Sequence, residues 1–226
     1  MQIKINLKIF FFIIIFCLTR QIEIYGILML FAFFHELGHL FAGIILGYKP
    51  QSLCINPVGL SIAFDIKAED YNEKVRKGNM LALKKMIIAA SGPIVNFLIV
   101  LIFMLFDLNF FYISREFIIY ANILIGLFNL IPIYPLDGGR ILKNLLHIID
   151  GLKNSYTYIN TISYASVIVL TVFSSIIIMY LKNISVIFIL GYLWYLVINE
   201  NKMYRQKMKI YEIINSVNEK ENSSIL

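Results

Sequence analysis

The stretch "FHELGHL", residues 34–40, lies inside an almost unbroken apolar run, residues 25–46. An ionisable side chain at the centre of a bilayer costs at least ~2.5–3.5 kcal/mol on insertion scales, which makes any such group a functional-site candidate. Three of them, His35, Glu36 and His39, stand here within five residues. On a helix His35 and His39 are four apart and share a face, with Glu36 beside them. That is the H-E-x-x-H spacing of a zinc-binding pair with an adjacent general base. The bland alternative is a chance string whose histidines are hydrogen-bonded in a helix interface. Against it, the chain has only three histidines, and two of them flank a glutamate at metal spacing.

The surroundings of the motif are those of a polytopic membrane protein. Of 226 residues, 59% are hydrophobic and 15% charged, and the mean hydropathy is +0.77. Apolar windows at 25–46, 86–106, 117–131, 158–180 and 184–198 approach the roughly 20 residues of a spanning helix. A sixth, 5–18, follows Lys4 and includes Lys8, in the manner of a signal peptide. Thr19-Arg20-Gln21 offers no small-residue cleavage site, so it is read as an uncleaved first span.

Positive charge gives the orientation expected of six spans, because cytoplasmic loops carry an excess of Lys and Arg. With the N-terminus inside, seventeen of the twenty Lys and Arg are cytoplasmic, and only Arg20, Arg115 and Lys182 lie outside. The net charge of +6 is thereby explained by topology, without a nucleic-acid partner. Cys17 and Cys54 suggest neither a disulfide framework nor a zinc knuckle. The larger soluble pieces are the 47–85 loop and the 199–226 tail. Ile210, Ile213, Ile214 and Val217 in that tail fall at helical spacing and predict an amphipathic helix on the inner leaflet.

A catalytic zinc usually has three protein ligands and an open position. Ala42 and Ile45 stand where the metzincin extension needs Gly and His, so that route to a third ligand fails. His147 has polar neighbours and reads as part of a cytoplasmic surface helix. The remaining source is a carboxylate, and the candidate lies in "NLIPIYPLDGGR", residues 129–140. Pro132 and Pro135 cannot continue a helix, and Gly138-Gly139 permits unusual backbone angles. Two readings stay open: a plain turn at the membrane edge, or a chain that turns back to bring Asp137 to the histidines. His39 lies about 10 Å below the cytoplasmic boundary at 1.5 Å per residue, whereas an unbroken helix would carry Asp137 to the surface.

HELGH in an early span, "SGPIVN" (91–96) in the next, and N-x-x-P-x-x-P-L-D-G (Asn129 to Gly138) after it resemble the site-2 protease family of intramembrane zinc metalloproteases. The resemblance covers about residues 25–140. It implies one zinc per chain held by His35, His39 and Asp137, with Glu36 as the catalytic base. The stretch between the second and third core spans has no room for a PDZ domain. The chain looks more like the compact six-span group that includes sporulation proteases acting on a sigma-factor precursor. Only 28 residues follow the last span, so the nucleotide-sensing domain common in that group is not expected.

The expected fold is thus an all-α membrane protein of about six spans, with a three-helix core and a membrane-associated β-hairpin. Its parts are an N-terminal span (1–24), a catalytic core (25–140), a cytoplasmic helix with two further spans (141–198) and a cytoplasmic tail (199–226). The hairpin is read from Gln51–Ile55 and Leu60–Phe64 flanking Asn56-Pro57-Val58-Gly59, and its edge offers a place for an extended substrate. Asn96 and Asn129 are candidates for binding substrate backbone or the oxyanion, the alternative being interhelical hydrogen bonds. The expected function is cleavage of a membrane-embedded or membrane-tethered protein near the cytoplasmic face, with release of a sigma factor as one output. The bilayer and a membrane-embedded regulator are the other expected partners, the location is a bacterial cytoplasmic or forespore membrane, and both termini are cytoplasmic. An inactive adaptor of the same fold and a metal transporter are the competing readings.

Overall fold

The computed structural model describes residues 2–56, 59–65, 74–106, 113–181 and 185–223, with side chains except at 3, 60, 74–79, 152–153, 177, 180–181 and 207–223. The elements in chain order are β1 (Gln2–Ile5), α1 (Lys8–Leu18), α2 (Ile22–Ile45), β2 (Lys49–Asn56), β3 (Gly59–Asp65), α3 (Lys74–Leu105), α4 (Arg115–Asn129), α5 (Asp137–Leu181) and α6 (Ser185–Ser223). Gly151, with φ of 82°, interrupts the helical backbone of α5.

Among the described residues, three helices are long and apolar enough to cross a membrane: Ile22–Ile45, Met80–Leu105 and Asn154–Ile176. That is half the number expected. With 11 and 15 residues, α1 and α4 extend only about 16 and 22 Å, short of a hydrocarbon core of about 30 Å. The apolar part of α6 gives way to Asn199, Glu200 and Lys202.

The expected first span needs correction at its start. Gln2–Ile5 is a strand, and the helix begins only at Lys8. Gln2-Ile3-Lys4-Ile5-Asn6 alternates polar and apolar, a period of two that a count of apolar residues passes over. Likewise α3 begins twelve residues before the apolar window at 86, because its Lys- and Arg-containing start continues the same helix. The tail is helical in its backbone as far as Ser223. Its expected amphipathic face falls on side chains outside the described residues.

The expected hairpin is present as two strands of a three-stranded sheet ordered β1-β2-β3. Its β2 and β3 are antiparallel, Asn56 facing Gly59 and Lys49 facing Asp65, with an irregularity between Pro50 and Ser52. Strand β1 joins β2 in parallel, Gln2 opposite Ser52 and Ile5 opposite Ile55. Residues 57 and 58 of the hairpin turn lie outside the described residues.

The way α2 ends decides where this sheet goes. Gly47 has φ of 88°, which places it in the left-handed region. The Tyr48 N–H donates to Gly43 O at 2.9 Å and the Gly47 N–H to Ile44 O at 3.0 Å, so the last carbonyls are satisfied while the chain reverses. The hairpin then lies along α2: the Phe64 ring covers Gly43, and a methyl at Gly59 would sit 3.8 Å from Ala32 Cβ. Strand β3 therefore passes the two histidines.

Packing on α2 comes from several sides. Phe31 is buried with Ile118 and Ala121 of α4, while Phe12, Phe16 and Tyr25 form a cluster with Ile189 and Tyr192 of α6. A third cluster joins Ile133 to Val167 of α5 and Val197 of α6. It anchors the segment between α4 and α5.

Candidate active site

The site begins where α2 crosses α3. Here the helices approach so closely that a Cβ at Gly38 would lie 2.8 Å from Ser91 O. A Cβ at Gly92 would lie 2.5 Å from Nε2 of both His35 and His39. The Ser91-Gly92-Pro93 step thus presents bare backbone to the two imidazoles. Any larger residue at 92 would force the rings away.

Asp137 reaches the same point by a reversal of the chain. Helix α4 stops at Asn129, and the Tyr134 N–H donates to Ser163 Oγ at 2.9 Å, which satisfies a backbone group that a broken helix would leave open. Ile133 is fully buried in the α5–α6 cluster, and Gly138 and Gly139 pack on the backbone of Leu130 and Ile133. Asp137 opens α5 with Oδ2 2.9 Å from His35 Nε2 and 3.2 Å from His39 Nε2. The two Nε2 atoms are 3.1 Å apart, and all three side chains are buried. Of the two readings of "PIYPLDGG", the structure shows the return.

The outer nitrogens settle what these atoms are. His39 Nδ1 lies 2.6 Å from Ile88 O, and a carbonyl can only accept, so Nδ1 carries the proton. For His35 the argument runs through two amides. Asn122 Nδ2 donates to Ile118 O at 2.8 Å, which turns its Oδ1 towards Asn96 Nδ2 at 2.9 Å, and this in turn aims Asn96 Oδ1 at His35 Nδ1 at 2.5 Å. In the neutral imidazoles both Nε2 atoms therefore present lone pairs to one another and to a carboxylate oxygen. One proton can relieve at most two of these acceptors, whereas one cation relieves all three. Tetrahedral zinc with bonds of about 2.0–2.1 Å separates its donors by roughly 3.3 Å, close to the spacing found. The donor set fits a single small metal ion, and its outer hydrogen bonds are of the kind that orient metal-bound histidines.

Asn96, expected to meet substrate, is fully buried and divides its carboxamide between His35 and Asn122. Asn129 donates to Ile125 O at 3.0 Å within its own helix and lines a cavity with Glu36. Sequence reading missed Asn122. A carboxamide in the middle of an apolar helix was the available signal, but its partner is 26 residues away. Asn122→Leu should lower metal affinity roughly 10–100-fold, because Asn96 loses the group that fixes its orientation. A metal titration reads this directly, and an unchanged affinity would remove Asn122 from the relay.

Residues 108–173, which include Asp137, match the family model described as Peptidase family M50. A zinc metalloprotease of Methanocaldococcus jannaschii is 32% identical over 120 residues, or 50% of this chain and 31% of that protein, so the chain spans about a third of that relative's length. The solved structure of a site-2 protease from the same organism superposes with a TM-score of 0.64, covering 88% of this chain and 89% of that one at 21% identity. The fold is that of a site-2 protease, and residues 108–173 within it match peptidase family M50.

Within this site-2 protease fold, Glu36 stands between two cavities. One, of about 280 Å³, is mostly apolar and is lined by Tyr25, Met29, Leu124, Phe128 and Leu193, together with His35 and Glu36. The other, of about 470 Å³, runs from Glu36 and His39 past Lys85, Arg140 and Lys143. Strand β3 follows both, Gly59 bordering the first and Ile62 and Phe64 the second. His147, expected on an ordinary surface helix, lines the polar cavity. Its imidazole is held below the usual histidine value by burial and then by Lys85 and Lys143.

Proposed function

We propose that this chain is an intramembrane zinc metalloprotease that cuts a membrane-embedded or membrane-tethered protein near the cytoplasmic face. The observation that carries the reading is Glu36, placed beside a His35, His39 and Asp137 donor set where an apolar cavity meets a polar one. A lipid-embedded segment has an apolar place to lie, and water has a polar route to the same carboxylate. Both termini are cytoplasmic in this proposal, supported by the distribution of Lys and Arg and by the pairing of β1 with β2. The short α1 and α4 then complete a six-span bundle together with α6. Release of a membrane-tethered transcription factor, a sigma factor among them, is an output of this reaction class.

In this mechanism His35, His39 and Asp137 would hold a zinc ion, which when bound would polarise the scissile carbonyl and acidify a water. Glu36 takes a proton from the water whose oxygen attacks the scissile carbonyl carbon, and returns it to the leaving nitrogen as the C–N bond breaks. Asn96 and Ile88 O keep the imidazoles in the tautomer that presents Nε2. The substrate must be extended locally, since a helix hides its carbonyls in hydrogen bonds. β3, the terminal strand of the sheet, offers an edge along which such a strand can pair while crossing Glu36.

The test is cleavage of a tethered substrate by the purified protein in lipid vesicles. Chelation should abolish cleavage and added zinc restore it. Substrate held without cleavage would favour an adaptor, and zinc passing into the vesicles without cleavage would favour a transporter.

A further inference from the structure

We propose that the polar cavity is a subsite for an acidic side chain of the substrate, carried on the flank of the scissile bond that enters it. This rests on the protease reading above and adds the charge class of the substrate. Lys85, Arg140 and Lys143 line the cavity, and Glu36 is the one carboxylate among the described residues that line it. Lys143 holds its ammonium 3.8 Å from the Tyr156 ring centroid and 4.5 Å from that of Tyr134, which places the charge at the cavity wall. Arg140 Nη1 stands 3.9 Å from Asp137 Oδ1, so a third positive group lies next to the candidate metal ligands. His147 feels the same field from Lys85 and Lys143.

The contrast with the apolar cavity gives this charge its meaning. There the lining is aliphatic and aromatic apart from His35, Glu36, Gly59, Asn129 and Ser174. An extended substrate crossing Glu36 thus leaves an apolar flank on one side and meets three cations on the other. Cytoplasmic flanks of membrane proteins are ordinarily rich in Lys and Arg. Such flanks are repelled here, while an Asp or Glu is attracted, so the cavity selects by excluding the common case as well as by binding the rare one.

The experiment compares three tethered substrates in phosphatidylcholine vesicles, identical except for Asp, Ala or Lys at the positions flanking the cut on the polar side. The wild type should cleave in the order Asp, Ala, Lys, with kcat/KM for Asp about tenfold above Lys, the effect of a few partly exposed charge pairs. In the Lys85→Glu/Lys143→Glu double variant that ratio should fall to about one or invert, while Lys85→Arg keeps it. The wild-type substrate series stands independently of whether the variants fold. Equal kcat/KM for the three substrates in active wild-type protein overturns the subsite alone. Failure to cleave any of them overturns the protease reading and the subsite with it. If the three are cleaved equally and added phosphatidylglycerol changes activity through Lys85 and Lys143, the cavity takes a lipid headgroup and the proposal falls.

Discussion

With Glu36 replaced by Gln, the protein is expected to keep one metal ion per chain and to cleave a tethered substrate roughly 10²–10⁴-fold more slowly. The expectation follows from where Glu36 stands. The atoms that converge as donors belong to His35, His39 and Asp137, whereas Glu36 borders the two cavities beside them. Gln has the same shape but cannot take a proton from water, so it removes the base and leaves the donor set. Metal analysis and single-turnover cleavage on the same preparation separate the two effects. Loss of metal in parallel with activity would make Glu36 a ligand, and unchanged cleavage would remove it from the chemistry altogether.

Asp137→Asn should give the opposite pattern, in which the fold persists and the metal is lost. The substitution keeps the size of the side chain but deletes the one anionic donor, leaving two neutral imidazoles. Affinity for zinc should fall by more than the roughly 10–100-fold expected of an outer-shell change, and cleavage should disappear with it. The turn that delivers residue 137 does not depend on that carboxylate. It is held by Ile133 against Val167 and Val197 and by the Tyr134 N–H on Ser163 Oγ. Circular dichroism should therefore report native helix content while a zinc titration reports the loss. Wild-type zinc affinity in this variant would sink the assignment of Asp137 as a ligand.

Some of the site could be read directly from the order of residues. His35, Glu36 and His39 lie on one helix, and a separation of four places two side chains together in any α-helix. The hairpin was legible for a similar reason, since Asn56 and Gly59 bracket a reversal between two short apolar runs. The strand at Gln2–Ile5 was legible too, but its alternation stands beside an apolar run that drew the reading towards a span. Asn96 was legible as a polar group in an apolar span, yet whether it meets substrate or a histidine depends on a partner in another element. Asn122 shows the limit more plainly, for its role exists only through Asn96 and Ile118.

What the sequence by itself determined is the local chemistry: an HELGH helix face, an apolar chain to carry it, and a carboxylate after a double proline break. Only the tertiary structure decided that Asp137 meets His35 across 102 residues, that both imidazoles turn their Nε2 inward, and that Glu36 separates an apolar cavity from a cationic one. The physical reason is one of range. Spacing along a helix follows from backbone geometry within a few residues, whereas the return of Asp137 depends on α5 and α6 closing over Ile133, and the tautomers depend on acceptors supplied by α3 and α4.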